Sequence, residues 1–395
     1  MGIEKNSFIP LSVPTIKGNE WKYVKECLDT EWVSSVGQYV DRFEKDICQF
    51  TGSKYAVACV NGTSALHIAL KLAGVQRGDE VIVPTVTFIA PVNTIRYLGA
   101  EPVFMDCDNF FNIDIVKTRE FIEQETEYKK GLTVNKATGK TIRAIIPVHM
   151  FGNAVDMEGI LSICNERNIV IVEDATESLG TRYIEGSIKN KHTGTIGQLG
   201  CYSFNGNKII TTGGGGMIVT NDSGYARKAK YFTTQAKDDE VRFVHDEVGY
   251  NYRLTNIQAA LGVAQLERLL DFINIKNENY NLYKKNINKI AGLCLAEVPG
   301  YASNNHWMYP LLIDKEKYGI DRETLMKYLS ENGIQTRPLW FLNHLQKPYM
   351  KCQNYKVEKA YELLEKTLNV PCSTNLTKKD ILKIVKILIN AKYHC

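Results

Sequence analysis

Three short stretches carry residue types that can do chemistry. The first runs Cys201-Tyr-Ser-Phe-Asn-Gly-Asn-Lys-Ile-Ile-Thr-Thr-Gly-Gly-Gly-Gly-Met217. It starts as a short apolar run, breaks at Asn205-Gly206-Asn207, presents one lysine and ends in four glycines. A glycine run lets backbone approach something closely, or turn where side chains would clash. Lys208 is therefore a candidate catalytic amine, although a lysine considered alone reads as a solvated surface charge. The second stretch, Asn61-Gly62-Thr63-Ser64, opens a helical pattern. Free N–H groups and two hydroxyls at a helix start make an anion site, and also fit a plain helix cap. The third is Glu173-Asp174, closing the β-branched run Ile169-Val-Ile-Val172. Asp174 offers a carboxylate at a strand end; a helix N-cap is its other reading.

An amine, an acid and an anion cradle are together what pyridoxal phosphate requires. Its aldehyde forms a Schiff base with a lysine, its ring nitrogen pairs with a carboxylate, and its phosphate takes N–H groups and hydroxyls. Phe88, in Pro84-Thr-Val-Thr-Phe-Ile-Ala90, follows a strand end and is placed to stack on the ring, or to sit in the core. Ser203 is either a strand residue or a second phosphate donor. The glycine run is not a nucleotide phosphate loop, because no GxxxxGK[ST] is present.

These residues need a scaffold that brings strand ends together. Strands are expected at Tyr55–Val60, Glu80–Pro84, Pro102–Met105, Ala144–Val148, Ile169–Val172 and Met217–Thr220, with helices between most of them. Unbroken β-branched runs suit strands covered on both faces. Such alternation implies βαβ units and a mainly parallel sheet, whose ligands sit beyond the carboxyl ends of the strands. Near the N-terminus, residues 1–18 read as extended. Helices follow at Glu20–Thr30 (Trp21, Val24, Leu28) and Tyr39–Thr51 (Phe43, Ile47, Phe50). The loop between them holds Trp32, Ser34 and Ser35, which suit a sugar or phosphate contact or an ordinary connection. Gly249–Arg253 reads as a loop before a capping box, Thr255-Asn-Ile-Gln258. Beyond residue 290 the pattern shortens: Trp307–Ile313, Arg322–Glu331, Ile334–Arg337, Glu358–Lys366, then a lysine-rich amphipathic last helix. We expect a large domain over 1–270 and a smaller α+β domain over 271–395.

Composition narrows the classes. The 395 residues are 44% hydrophobic and 23% charged, with a net charge of +4, as in a soluble globular protein without a nucleic-acid partner. There is no membrane-length apolar run and no secretory core. Met1-Gly2 is a poor acylation signal, with Asn6 where a hydroxyl residue is needed. Ten cysteines without a CxxC pair read as reduced cytoplasmic thiols. No metal site is expected.

The sequence resembles the DegT family of nucleotide-sugar aminotransferases over nearly its whole length. The blocks that carry the resemblance are Asn61–Leu66, Pro84–Ala90, Pro147-Val-His-Met-Phe-Gly152, Val172-Glu-Asp-Ala-Thr-Glu177, Tyr202–Gly216 and Gly249–Gly262. It implies the α/β, aspartate aminotransferase-like (type I) fold and a homodimer with shared active sites. By the same resemblance, Lys208 is the Schiff-base lysine and Asp174 the ring-nitrogen partner. Gly62, Thr63, Ser64 and Ser203 hold the phosphate, Phe88 stacks on the ring, and Asn251 reaches the neighbouring subunit's phosphate. Many members have Gln where this chain has Glu177, near the ring hydroxyl. The stretches Trp32–Asp41 and Asn205–Thr212 resemble the branch that aminates C4 of a UDP- or GDP-linked 4-keto-6-deoxy N-acetyl sugar, of bacillosamine or legionaminic acid type. The implied donor is glutamate. Asn205, Asn207 and Arg337 join Trp32, Ser34 and Ser35 as sugar-nucleotide candidates, Arg337 having a surface ion pair as its other reading. Alternatives in the family are a 3-keto sugar aminotransferase and a dehydratase; the dehydratases carry His at the lysine position.

Overall fold

The structure, a computed structural model, describes residues 8–239 and 241–394. Residues 1–7, with the Met1-Gly2 pair, lie outside them. An eight-stranded sheet has the order Tyr55–Cys59, Gly216–Thr220, Leu199–Ser203, Val170–Asp174, Ile142–Ile145, Glu80–Pro84, Glu101–Met105, Asn354–Tyr355. Gly216–Thr220 runs antiparallel to both neighbours. The other pairings are parallel. Helices cover both faces, so Glu80–Pro84 is buried throughout and Val170–Asp174 from its second residue on, which is why both carry continuous apolar runs rather than alternating ones.

A second, antiparallel sheet, Leu293–Leu295, Tyr309–Ile313, Thr367–Val370 and Arg337–Pro338, is built from residues beyond 290. The helix Leu269–Ile287 lies between the two sheets in the chain. The later part is stapled back onto the first. Asn354–Tyr355 pairs with Glu101–Met105. Buried Asp106 accepts the main-chain N–H groups of Glu358, Lys359 and Ala360, and Lys117 Nζ at 2.8 Å. None of the described helices is long and apolar enough to cross a membrane.

Several expected elements shift at their ends. The helix between Ile142–Ile145 and Val170–Asp174 starts at Met157, because the Asp156 carboxylate caps it by accepting the Gly159 N–H at 3.0 Å. The strand expected over Ile334–Arg337 is Arg337–Pro338, and Ile334 instead bridges to Ile9. A hairpin, Thr126–Lys129 with Leu132–Asn135, was not anticipated. The helix Glu20–Asp29 forms as expected, but its apolar side faces out: Trp21 is 80% and Leu28 55% exposed, while Cys27 is buried.

Candidate active site

Four chain segments leave the carboxyl edge of the large sheet and meet at one cavity of about 310 Å³. Asn61, Gly62 and Thr63 follow the first strand, Thr87 and Phe88 follow Glu80–Pro84, Asp174, Thr176 and Glu177 end Val170–Asp174, and Ser203, Asn205, Asn207 and Lys208 end Leu199–Ser203. Trp307 and Trp340 close it from the second half of the chain.

The anion cradle is a helix start. Asn61 caps the helix Gly62–Leu72, its Oδ1 accepting the Ser64 N–H at 2.7 Å. The first-turn N–H groups of Gly62 and Thr63 have no helical acceptors and lie at the cavity. A Cβ at Gly62 would meet Ser203 Cβ at 2.9 Å, so glycine keeps this corner open. Ser64, expected in the cradle, is not at the cavity wall. It is one step further round the helix, buried, and its N–H is already taken.

Strand alternation sorts the two acids. Glu173 points away from the cavity. It accepts the N–H groups of Gly194, Ile196 and Gly197 and pairs with buried His149 at 3.0 Å. Asp174 faces the cavity, 2% exposed, with the Thr176 N–H on Oδ1 at 3.1 Å. Burial raises its pKa, opposed by the Thr176 hydrogen bonds and the charges of Lys208 and His149.

Lys208 sits on a turn closed at its base by the Thr212 N–H to Phe204 O, 2.9 Å. Its Nζ is 3.9 Å from Glu177 Oε1 and 4.1 Å from the centroid of the Trp307 ring. Burial lowers its pKa, against the attraction of Glu177 and Asp174. Burial raises Glu177 to about 7, against Lys208 and the Phe151 N–H. That N–H reaches Glu177 Oε2 at 2.8 Å from a residue in left-handed conformation, φ 55°. Phe151 stacks on Trp340, centroids 5.4 Å apart, and Phe88 meets Trp340 edge-on at 6.0 Å.

The sequence reading gave Thr87, Thr176, Trp307 and Trp340 no role in the site, although they line it. Thr176 lay inside a quoted motif, whereas the tryptophans reach the site through tertiary closure. Five further expected residues do not line this cavity. Trp32 lines a separate recess with Cys27, Tyr39 and Asn256, and Ser35 another with Lys230, Lys237 and Arg253. Ser34 is exposed, its carbonyl accepting the Asn256 N–H. Asn251 is exposed and bridges to Thr234. Arg337 is exposed where its strand pairs with Asn369.

The donor set fits pyridoxal phosphate: free helix N–H groups and a hydroxyl for a phosphate, a buried carboxylate for a ring nitrogen, an aromatic ring at the wall and a largely covered amine. A mainly parallel sheet with this set at its carboxyl edge defines an aspartate aminotransferase-like, type I pyridoxal phosphate enzyme. Residues 14–389 match the DegT/DnrJ/EryC1/StrS aminotransferase family. The chain belongs to that family of pyridoxal phosphate-dependent nucleotide-sugar aminotransferases. It is 38% identical to a GDP-perosamine synthase of Escherichia coli O157:H7 over 95% of this chain and 96% of the relative. It is 37% identical to one of Caulobacter vibrioides, over 96% and 97%. A solved E. coli GDP-4-keto-6-deoxy-D-mannose-3-dehydratase with bound hydrated PLP superposes with a TM-score of 0.84 at 25% identity, covering 96% of this chain and 99% of that one.

Proposed function

We propose that this enzyme moves the amino group of glutamate to C4 of a nucleotide-linked 4-keto-6-deoxy hexose. The observation that carries the reading is the convergence of Lys208, Asp174 and the Gly62–Thr63 helix start on one cavity. Bound pyridoxal phosphate supplies an aldehyde that carries the amino group and a ring that accepts electrons. The chain supplies the rest. Gly62, Thr63 and Ser203 hold the phosphate end, Phe88 covers the ring, and Asp174 keeps a positive charge at the ring nitrogen. Lys208, with its pKa lowered by burial, takes and returns the proton at the reacting carbon. Glu177 holds a proton at the ring-hydroxyl side, or gives it up as Lys208 gains one.

Support for C4 comes from relatives named for a 4-amino sugar, and these favour GDP. The sequence blocks favour a C2 acetamido group, and that remains our preferred sugar. We assign Asn205 and Asn207, at the cavity, to the sugar, and Trp32, Ser34, Ser35 and Arg337, which do not line it, to the nucleotide. We place the enzyme in the cytoplasm as a homodimer. The test is a panel with glutamate as donor: UDP- and GDP-linked 4-keto-6-deoxy sugars, with and without the acetamido group, against a 3-keto sugar and simple 2-keto acids. A 4-keto sugar should be aminated fastest. Amination of 2-keto acids alone would overturn the sugar reading and leave the cofactor assignment standing.

A further inference from the structure

Trp307 touches the lysine turn twice. Its indole N–H donates to the main-chain O of Asn207 at 2.8 Å, one residue before Lys208. Its ring carries the Lys208 ammonium, Nζ lying 4.1 Å from the centroid. The ring is itself fixed. It is 1% exposed and stacks on Trp340 at 6.3 Å and 20°. Asn305 Oδ1 accepts the Trp307 N–H at 3.0 Å, while Asn305 Nδ2 donates to the main-chain O atoms of Glu177 and Leu179, both at 3.0 Å. Buried Lys276 donates to Trp307 O at 3.1 Å. Asn305 therefore ties Trp307 to the segment that carries Glu177, so the two neighbours of the amine are held in one hydrogen-bonded unit.

We propose that Trp307 is a positioning residue for Lys208: its ring face holds the free amine as a cation, and its indole N–H holds the turn from which the amine projects. This rests on Lys208 being the reacting amine. The charged groups facing Lys208 are Glu177 and Asp174, both from the end of Val170–Asp174 and the turn after it. They attract the cation from that side; Trp307 adds attraction from the other half of the chain. An ammonium over an indole is favoured by enough to move its titration by about half a unit to one and a half units, the larger shift when it is desolvated.

The test labels the full chain, without cofactor, with trinitrobenzenesulfonate across pH, quantifying the Lys208 peptide. Only the neutral amine reacts. The ring favours the cation, so removing it should lower the midpoint. Trp307→Leu should lower it by about half a unit to one and a half units. Trp307→Met, whose unbranched chain adapts to an irregular space, provides the same reading should the leucine variant not fold. Trp307→Phe keeps a ring and loses the N–H; its midpoint should stay near wild type while its plateau rate rises several-fold as the turn loosens. An unchanged or raised midpoint in a folded Leu or Met variant overturns the proposal. Because labelling needs no turnover, that failure would leave the role of Lys208 to be decided separately by cofactor trapping.

Discussion

Lys208 Nζ and Glu177 Oε1 face each other at 3.9 Å across the cavity floor. The separation is too long for a tight ion pair, and both groups are buried enough for desolvation to oppose both charges. Burial pushes Glu177 from the ordinary 4.5 up to about 7, so a neutral, glutamine-like state of this side chain is accessible.

That raised pKa has a signed consequence for stability. The folded chain keeps the Glu177 proton to higher pH than the unfolded chain does. Stability without cofactor therefore falls as pH rises from 4.5 through about 7. Glu177→Gln removes the titration. It should be more stable than wild type at pH 8, by on the order of 2–3 kcal/mol, with the gap closing toward pH 4.5. Urea melts of both proteins across that range check this. A gap that does not change with pH would sink it.

Lys208 should be the residue that borohydride links to the cofactor. Recovery of the adduct on another lysine's peptide would end the assignment. Lys208→Ala should still bind cofactor through the Gly62–Thr63 cradle and Asp174. Its turnover should fall by about 10²–10⁴ or more, the range a general acid–base contributes. Substantial residual turnover would mean that another group moves the proton.

Asp174→Asn should fold, since an amide oxygen can still accept the Thr176 N–H that now reaches Asp174 at 3.1 Å. The lost charge-assisted contact is worth about 1.5–3 kcal/mol of cofactor affinity. Turnover should fall by much more, because the charge on the ring nitrogen is lost as well. Absorbance titration and steady-state rates separate the two effects. A near-normal rate would place another residue at that nitrogen.

The parts of the site legible in the sequence are those fixed by strand ends. Asp174 and Ser203 close predicted or apolar strand runs and Phe88 follows one by a few residues, and a mainly parallel sheet collects such ends along one edge. Period-two alternation settles what the motif alone did not, sending Asp174 to the cavity and Glu173 to His149. Ser64 misses the wall by one step of helix rotation. Trp307 and Trp340 carried no local signal, because they reach the cavity only when the second sheet packs against the first. Phe151 is less legible still: a bulky residue with positive φ contradicts its own propensity, and its N–H on Glu177 gives that conformation a use. Helical spacing in Glu20–Asp29 correctly marked an apolar side, but periodicity does not say what covers it.

Arg337 gives a test of how far the substrate reaches. It is exposed and does not line the cavity, so it should leave glutamate untouched. Arg337→Ala should raise KM for the sugar nucleotide several-fold, as loss of a bidentate contact to phosphate would, with KM for glutamate unchanged. Equal KM values in variant and wild type would return Arg337 to the surface.

The proposed homodimer would give Asn251 and the outward side of Glu20–Asp29 a common explanation. Trp21 and Leu28 are more than half exposed, a wasteful placement for large apolar side chains unless a second copy covers them. Asn251 is exposed and does not line its own chain's cavity, so a phosphate contact from it would have to serve the neighbouring chain. Lys208→Ala and Asn251→Ala would then damage the same site from different subunits. Each variant alone should be impaired, Lys208→Ala severely. Unfolded together and refolded as a mixture, half of the dimers should be mixed, and each mixed dimer should hold one intact site and one carrying both defects. Activity should recover to about a quarter of wild type for freely exchanging twofold dimers. Activity of the mixture equal to the average of the two pure variants would show that Asn251 serves its own chain, or that it has no part in the site.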